Sequence, residues 1–319
     1  MGQASRIKHD EDRRHRIAAQ RAATRRAHVR NRLLLAGGAI VAVVAVTLAI
    51  VAVGLGRGNS AKAPPSDGPT GAALAAAVRD LTTVPASVLD AAGGGNLVTA
   101  DIGSATAVGG GYLMPVTGAP LTAAGKPEVL YVGADFCPYC AALRWPLIVA
   151  LSRFGTFSGL TATRSGITSG AGQAEPYPAT PTWTFSGARY ASSYLTFSAV
   201  ETNTSIPDPA SGGYTVSQAP TPAQQSVLAA YDASGGIPFL DIGGKYVQLS
   251  TLAPYGPQDL QGKTWGQITA ALRDPSSALG KEITASANYL TAAICKVTGD
   301  QPASACTPAV RALQPRLER

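Results

Sequence analysis

Residues 129–145 read VLYVGADFCPYCAALRW, in which an apolar run leads into the motif Cys137-Pro138-Tyr139-Cys140. A buried strand, a Cys-x-x-Cys turn and then a helix is a layout typical of a dithiol redox centre. The first cysteine then lies at the helix N-terminus, where free N–H groups and the helix dipole stabilise a thiolate. Pro138 suits the first helical turn because the N–H that it lacks is not needed there. Cys140 follows one turn later, close enough to attack a mixed disulfide formed at Cys137.

A Cys-x-x-Cys motif can also be half of a zinc site or an inert structural disulfide. A zinc site needs four ligands, and the other two cysteines, Cys295 and Cys306, have ten residues between them, which is not the spacing of a zinc knuckle. The histidines all precede an apolar span: His9, His15 and His28. These observations favour the redox interpretation, while the other two stay open. We expect no bound metal and no cofactor.

The charge of the chain is concentrated at its N-terminus. The net charge is +7, and residues 1–32 alone carry ten basic and three acidic side chains, so residues 33–319 are neutral overall. The positive charge therefore belongs to a tail and does not indicate a nucleic-acid-binding domain. Residues 33–56 contain no charged side chain and, at about 36 Å as a helix, are long enough to cross a bilayer core of about 30 Å.

A cleaved signal peptide is the alternative to this transmembrane helix. Its apolar region normally has about 7–15 residues behind a short leader, whereas the leader here has 32 residues, so an uncleaved anchor is favoured. The positive-inside rule then places residues 1–32 in the cytoplasm and everything after residue 56 outside. The expected location is the cell membrane, with a single span that contacts lipid through residues 33–56. All four cysteines then lie where disulfides persist.

The region after the span reads as a linker and one α/β domain. Residues 57–70 are rich in Gly, Ser and Pro and are predicted to be flexible, and residues 71–319 are long enough for one domain with a sizeable core. The predicted elements are, in chain order, helices 72–81 and 85–92, a central strand 128–135, a helix 141–154 kinked at Pro146, strands 160–164, 180–189 and 193–202, a loop 205–213, a helix 222–231, a hairpin within 235–247, and helices 259–273 and 277–297.

These elements resemble the thioredoxin superfamily. The resemblance rests on the strand, the Cys-Pro-Tyr-Cys motif, the kinked helix, and the stretch Gly-Ile-Pro-Phe at 236–239 before a terminal hairpin and helix. It implies that Pro238 is cis and lies against the motif, and that the backbone of Ile237 pairs with an incoming substrate strand. On local sequence alone, Pro238 is also compatible with an ordinary proline at the start of a strand. The long separation between Cys140 and Pro238 implies a strand-rich insertion at about residues 155–230.

Some positions depart from the thioredoxin pattern. By the resemblance, Tyr131 stands where a buried Asp is expected and Phe136 where a Trp is expected. Asp135 is the nearest acid, with two interpretations: a proton acceptor, or a solvated loop residue. Arg144, four residues after Cys140, is predicted to form a surface salt bridge.

The region after the span is also similar to a membrane-anchored, thioredoxin-like family labelled domain of unknown function 929. The shared features are the runs GADFCPYCAA at 133–142 and TPTWTF at 180–185, and a cysteine pair near the C-terminus. This similarity covers most of residues 75–310 and implies a fold rather than an activity.

The second cysteine pair, Cys295 and Cys306, brackets a turn after the last predicted helix. Four cysteines allow three pairings, and pairing of 295 with 306 is favoured because the other two are already close in sequence. A structural disulfide here would stabilise the fold by about 3 kcal/mol on the chain-entropy model. The alternative is a second redox pair that passes electrons to Cys137.

The resulting hypothesis is a membrane-anchored thiol-disulfide oxidoreductase of the bacterial cell envelope. Cys137 is the expected solvent-facing nucleophile, and Cys140 resolves the mixed disulfide. The expected partners are cysteine-containing envelope proteins and an unidentified membrane redox partner, with no nucleic acid. The alternative is a non-catalytic envelope protein that keeps the thioredoxin-like fold as a binding scaffold. Metal-dependent hydrolysis and Ser-His-Asp chemistry are disfavoured because residues 33–319 contain no histidine.

Overall fold

Strand β3 (Lys126–Gly133) is the centre of a mixed sheet in the computed structural model, which describes residues 68–95, 113–248 and 255–318. The strand forms where aliphatic and aromatic residues follow one another, and its last five residues are all buried. The predicted central strand is therefore confirmed, with both ends two residues earlier than expected. The Cys-x-x-Cys motif begins four residues after this strand ends.

The described residues form a mixed α/β domain. The other strands are β1 (Met114–Pro115), β2 (Thr122–Ala123), β4 (Gly155–Ser158), β5 (Thr161–Arg164), β6 (Pro181–Thr184), β7 (Arg189–Ser192), β8 (Thr196–Glu201), β9 (Asn203–Asp208), β10 (Gly213–Val216), β11 (Phe239–Ile242) and β12 (Tyr246–Gln248). The helices are α1 (Gly71–Thr82), α2 (Ala86–Ala92), α3 (Pro138–Leu151), α4 (Pro222–Tyr231), α5 (Pro257–Leu260), α6 (Trp265–Ala271), α7 (Ala278–Val297) and α8 (Pro308–Arg311), followed by a 3-10 turn at Gln314–Arg316.

The central sheet has the order β1-β12-β11-β3, and β8 and β2 also pair with β3. β8 runs parallel to β3, with Phe197 opposite Val129, whereas β11 runs antiparallel to it, with Phe239 opposite Val132. β3, α3 and β8 thus form a parallel strand–helix–strand unit. The remaining strands form three separate antiparallel pairs: β4 with β7, β5 with β6, and β9 with β10.

The region predicted as an insertion contributes to the central sheet, which corrects the sequence interpretation. β8 corresponds to the predicted strand 193–202 and lies inside residues 155–230, but it is the parallel neighbour of β3, a pairing that local sequence does not reveal. The predicted strand 180–189 is split into β6 and the start of β7 by a turn in which Gly187 has φ +79°. The predicted loop 205–213 contains most of β9, whose polar residues are only partly buried.

Both faces of β3 are covered. Val129 and Tyr131 belong to the main core, which includes residues of α3 and α7. Leu130 and Val132 belong to a second cluster with Phe239 of β11, against which residues of α4 pack. This alternation is the pattern of a strand with helices on both sides.

The helices around the sheet largely follow the prediction. α3 contains Pro146, α4 has the predicted bounds, and α7 starts one residue later than expected because Ser277 caps it. The predicted helix 259–273 is broken into α5 and α6, and Gly262, with φ +72°, lies in the break. The hairpin β11–β12 turns at Gly243 and Gly244, as predicted.

Several predictions lie outside the described residues. These are the basic tail 1–32, the transmembrane helix 33–56 and most of the linker 57–70. Within the part of the chain that the structure does describe, no single helix is long and apolar enough to cross a membrane. α1 and α2 are long and apolar enough for a membrane span only when they are taken together, and the chain bends by 54° between them.

Candidate functional site

Cys137 is the N-cap residue of α3. Its backbone is extended (φ −73°, ψ 120°), and its carbonyl oxygen accepts a hydrogen bond from the N–H of Ala141 at 3.0 Å. Its sulfur accepts a hydrogen bond from the N–H of Cys140 at 3.3 Å, and Pro138 occupies the first helical turn. The sulfur is therefore located where free N–H groups and the helix dipole stabilise negative charge.

The two thiols of the motif, which are not bonded to each other, differ in acidity. The pKa of Cys137 is lowered, chiefly because the Cys140 thiol hydrogen-bonds to its sulfur; burial opposes this effect, and the Cys140 N–H and the charge of Arg144 add to it. Burial raises the pKa of Cys140 well above its ordinary value. Cys137 is thus the sulfur that ionises first, and the thiolate is the reactive form of cysteine.

Cys137 is less exposed than the sequence led us to expect. We predicted a solvent-facing nucleophile, but only 5% of the residue surface is accessible. The partly buried side chains of Phe136, Tyr139 and Ile237 pack against the cluster that Cys137 forms with Ala134 and Cys140. Cys140 is completely buried. Little of the Cys137 surface is therefore open to a reaction partner.

The loop before β11 lies against the motif. The carbonyl oxygen of Ile237 is 4.0 Å from the sulfur of Cys137, and the peptide bond between Ile237 and Pro238 is cis. The structure thus brings together the four residues that the sequence analysis placed in the site. The pairing of Ile237 with a substrate strand stays a prediction.

A buried ion pair lies behind the motif, where we had predicted a surface salt bridge. Arg144 on α3 donates from Nε to Glu201 Oε1 at 3.0 Å and from Nη2 to Oε2 at 2.6 Å, and neither residue is exposed. Nη2 also donates to the carbonyl of Ala134 at 2.8 Å and lies 3.6 Å from Asp135 Oδ1. The prediction was wrong because every residue of α3 except Tyr139 is buried, so no face of the helix is free for a solvated arginine.

Glu201 was missed by the sequence analysis. It ends β8, 57 residues after Arg144, and its Oε1 also accepts the N–H of Phe185 at 3.3 Å. No local pattern connects an acid at the end of one strand with an arginine on a distant helix. The one available signal was the arginine itself, because a cation inside an otherwise apolar helix needs a partner.

Asp135 is also buried, so its interpretation as a solvated loop residue was wrong. Its pKa is raised to about 6, chiefly by burial, with the charge of Arg144 opposing the shift and that of Glu201 adding to it. Its Oδ1 accepts no hydrogen bond from the described residues. The alternative role as a proton acceptor stays a prediction.

Tyr131 completes the buried cluster. Its ring makes an edge contact with Phe185, with the centroids 5.1 Å apart, and the guanidinium carbon of Arg144 lies 5.7 Å from its centroid. Its hydroxyl finds no hydrogen-bond partner among the described residues. From the sequence, Tyr131 stood out only as a replacement for an acid, because a tyrosine in an apolar strand gives no sign of where its hydroxyl lies.

Loops from the strand-rich region frame the motif through backbone hydrogen bonds. The N–H of Asp135 donates to the carbonyl of Asn203, at the start of β9, at 2.8 Å. The N–H of Gly166, in the loop after β5, donates to the carbonyl of Phe136, also at 2.8 Å. Both residues before Cys137 are therefore held by segments far away in sequence.

Two aromatic pairs flank the motif. Phe136 stacks on Tyr214 of β10, with ring centroids 4.3 Å apart, and Tyr139 contacts the edge of Tyr177, with centroids 5.9 Å apart. Next to Gly166, the side chain of Ile167 is 61% exposed. The surface around Cys137 is therefore largely apolar and aromatic.

The second cysteine pair forms a disulfide. Cys295, in the last turn of α7, is bonded to Cys306, just before α8, with the Cα atoms 5.7 Å apart, and both residues are fully buried in the main core. Among the described residues, the one group of three side chains close enough to share a metal ion is this pair with Asp300. Because its two sulfurs are bonded to each other, the group does not offer the ligands of a zinc site.

The fold and the site define a mixed α/β domain with a buried dithiol at a helix N-terminus. The chain belongs to the family described as Domain of unknown function (DUF929), whose model matches residues 112–296, more than half of the chain. The match includes the central sheet from β1 to β12, the Cys-x-x-Cys motif and Cys295. No curated protein and no solved structure matches the chain.

The buried ion pair gives a first prediction. Replacing Arg144 with Met leaves Glu201 as an unpaired buried charge, so we expect the free energy of unfolding to fall by about 3–5 kcal/mol. Urea unfolding of the full chain, followed by tryptophan fluorescence, measures this loss. Arg79→Met is the control, because that arginine pairs with Asp80 on the surface and its loss should change the stability by less than about 1 kcal/mol. Equal losses in the two variants would contradict a structural role for the buried pair.

Asp135 predicts a pH dependence with a defined sign. Its carboxyl group has a pKa of about 6 in the folded chain against an ordinary 3.8, so the folded state binds the proton more tightly. The resulting stabilisation is complete at low pH and is lost as the pH rises through 6. We expect the unfolding free energy of the wild type, minus that of Asp135→Asn, to fall by about 2–3 kcal/mol between about pH 4 and pH 7. A difference that stays constant over this range would show that the carboxyl group is not perturbed.

The difference in acidity between the two thiols predicts how they react. In the reduced full chain, the rate of Cys137 alkylation by iodoacetamide should have a pH midpoint below the value of about 8.5 of an ordinary cysteine. The midpoint should rise in Cys140→Ala, which removes the thiol that hydrogen-bonds to Cys137. Peptide mass spectrometry distinguishes the two positions. A wild-type midpoint at the ordinary value would remove the basis for an activated sulfur.

Proposed function

We propose that this chain is a membrane-anchored thiol-disulfide oxidoreductase that acts outside the cytoplasm on cysteine-containing proteins of the cell envelope. The observation that carries the proposal is the sulfur of Cys137 at the N-cap of α3, with the N–H and the thiol of Cys140 both directed at it. A sulfur that ionises readily beside one that keeps its proton is the arrangement that two-step disulfide exchange requires.

The exchange proceeds in two balanced steps. The thiolate of Cys137 attacks a substrate disulfide, which forms a mixed disulfide and releases one substrate sulfur that takes up a proton. Cys140 then loses its proton and attacks Cys137, which forms the 137–140 disulfide and releases the second substrate sulfur as a thiol. The substrate gains two electrons and the chain loses two. The reverse sequence oxidises a substrate dithiol.

The sheet topology supports a thioredoxin-like fold for this chemistry. The parallel unit β3-α3-β8, the antiparallel hairpin β11–β12 on the other side of β3, and the long helix α7 after it match the elements on which the resemblance rested. The pairs β4–β7, β5–β6 and β9–β10 are then the strand-rich addition. We assign Ile237 and Pro238 to substrate binding because the Ile237 carbonyl is adjacent to the Cys137 sulfur.

Cys295 and Cys306 have a structural role in this proposal. Their disulfide is fully buried in the main core, whereas Cys137 and Cys140 belong to a separate apolar cluster. A relay of electrons needs one pair of sulfurs to attack the other, and a fully buried disulfide offers no approach for such an attack.

The anchor and the partners complete the proposal. Residues 33–56 span the membrane, and residues 1–32 remain in the cytoplasm. A dithiol that has reacted once must be regenerated before it reacts again, and a redox partner in the same membrane supplies this step. The chain needs no cofactor for the exchange itself and does not act on nucleic acid.

A non-catalytic binding scaffold is the second candidate. The observation that favours it is the apolar surface of the strand-rich region, where Ile167 and Val216 are 61% and 54% exposed, together with the low exposure of Cys137. In this case a partner binds through the apolar surface, and neither thiol of the motif takes part.

Cysteine variants of the full chain in detergent distinguish these two functions. Cys137→Ser should abolish the reduction of insulin disulfides and the oxidative refolding of reduced ribonuclease. Cys140→Ser should still form the first bond and accumulate a mixed disulfide, visible on a non-reducing gel. Cys295→Ser/Cys306→Ser is the control and should keep the exchange activity while losing about 3 kcal/mol of stability. Activity that survives in Cys137→Ser/Cys140→Ser would refute the proposed chemistry.

A further inference from the structure

The hydroxyl group of Tyr131 has no structural explanation. The side chain is fully buried on β3, and its oxygen finds no hydrogen-bond partner among the described residues. The ring accounts for the packing, through its contact with Phe185 and its position under the guanidinium group of Arg144. A phenylalanine would make the same ring contacts without burying an unpaired polar atom, which costs about 1–3 kcal/mol. The hydroxyl therefore reduces stability in the resting protein.

The position of this hydroxyl is defined by Gly133, two residues further along β3. A Cβ atom added at Gly133 would collide with the hydroxyl oxygen of Tyr131 and would lie 3.0 Å from the sulfur of Cys140. The hydroxyl and the sulfur thus border the same small space, which is open only because residue 133 has no side chain. Gly133 has no positive φ to explain its identity, so close approach is the reason for the glycine.

The sulfur of Cys140 is poorly stabilised when it ionises: a backbone hydrogen bond from Ala134 and the charge of Arg144 both lower its pKa, but burial outweighs them. It is completely buried, and burial is the main reason for its raised pKa. The charge of Arg144 acts on the sulfurs of both Cys137 and Cys140; its Nε and Nη2 bind Glu201, while its Nη1 has no hydrogen-bond partner among the described residues. The Tyr131 hydroxyl likewise has no acceptor among the described residues, and it borders the sulfur of Cys140 in the space beside Gly133.

We propose that the hydroxyl of Tyr131 donates a hydrogen bond to the sulfur of Cys140 as that sulfur attacks the mixed disulfide, and so accelerates the release of the substrate. This inference rests on the proposed function. In the step, Cys140 loses its proton, a bond forms between the sulfurs of Cys140 and Cys137, and the bond between Cys137 and the substrate breaks. The departing substrate sulfur takes up the proton. Tyr131 keeps its own proton throughout and stabilises only the transient negative charge on Cys140.

The test follows the two steps separately in Tyr131→Phe. The reduced full chain in detergent is mixed with oxidised glutathione and quenched in acid at successive times, and mass spectrometry measures the Cys137–glutathione adduct and the 137–140 disulfide. Adduct formation should proceed at the wild-type rate, because the N-terminus of α3 is unchanged. Conversion of the adduct should be about tenfold slower or more, as expected for the loss of a hydrogen bond to a buried charge. The pH midpoint of this conversion should rise.

Tyr246→Phe is the matched control. The hydroxyl of Tyr246, on β12, is likewise buried and finds no hydrogen-bond partner in the part of the chain that the structure describes. The residue packs in the main core, apart from the Cys137–Cys140 cluster. Both variants should unfold at urea concentrations equal to or above that of the wild type, because each removes an unpaired polar atom. Only Tyr131→Phe should delay the second step.

Each unfavourable outcome has a distinct meaning. Conversion at the wild-type rate in Tyr131→Phe overturns the inference and leaves the proposed function intact. An equal slowing of both steps, or an equal slowing in Tyr246→Phe, also overturns it, because a general change in packing then explains the effect. A wild-type chain that never forms the adduct refutes the proposed function, and the role of Tyr131 is refuted with it.

Discussion

The buried ion pair between Arg144 and Glu201 is the contact on which the site depends. It joins α3 to the end of β8, and the same guanidinium group holds the carbonyl of Ala134 and approaches Asp135, in the short segment between β3 and α3. Burying two charges costs several kcal/mol for each unless they are paired with good geometry. The contact is bidentate and pairs the two charges. Through its hydrogen bond to the carbonyl of Ala134, the same guanidinium group helps to hold the segment that leads into Cys137.

The chain activates a sulfur without a histidine, since residues 33–319 contain none. The main cause of the lowered pKa of Cys137 is one hydrogen bond, which the thiol of Cys140 donates to the sulfur of Cys137. This bond favours the thiolate of Cys137 and the protonated form of Cys140. Backbone hydrogen bonds lower the pKa of both sulfurs and burial raises it, but Cys140 is completely buried and its pKa is raised overall. The order of the two ionisations therefore follows from this hydrogen bond and from the complete burial of Cys140.

The sequence predicted those parts of the structure whose signals are local. β3 ends in an apolar run over residues 129–133, and α4 begins with a capping box in which Thr221 and Gln224 bind each other's backbone. β8 was assigned to an insertion because its partner strand is about 70 residues away, and Glu201 escaped notice for the same reason. The low exposure of Cys137 could not be predicted from the local sequence either, since the residues packed against its cluster include Ile237, 100 residues later.

Three of the buried polar atoms that lack a hydrogen-bond partner among the described residues lie together behind the motif, on Tyr131, Asp135 and Arg144. Others lie elsewhere in the core, on Trp183 and Tyr246 among them. The buried donors of Trp145 and Trp265, by contrast, each reach a carbonyl, at 3.1 and 2.7 Å. Unpaired buried atoms lower the stability of a resting fold, and they are common where a protein has to accept a charge that is present for only part of its cycle. The thiolate that the proposed second step forms at Cys140, in the space beside Gly133, is a charge of this kind.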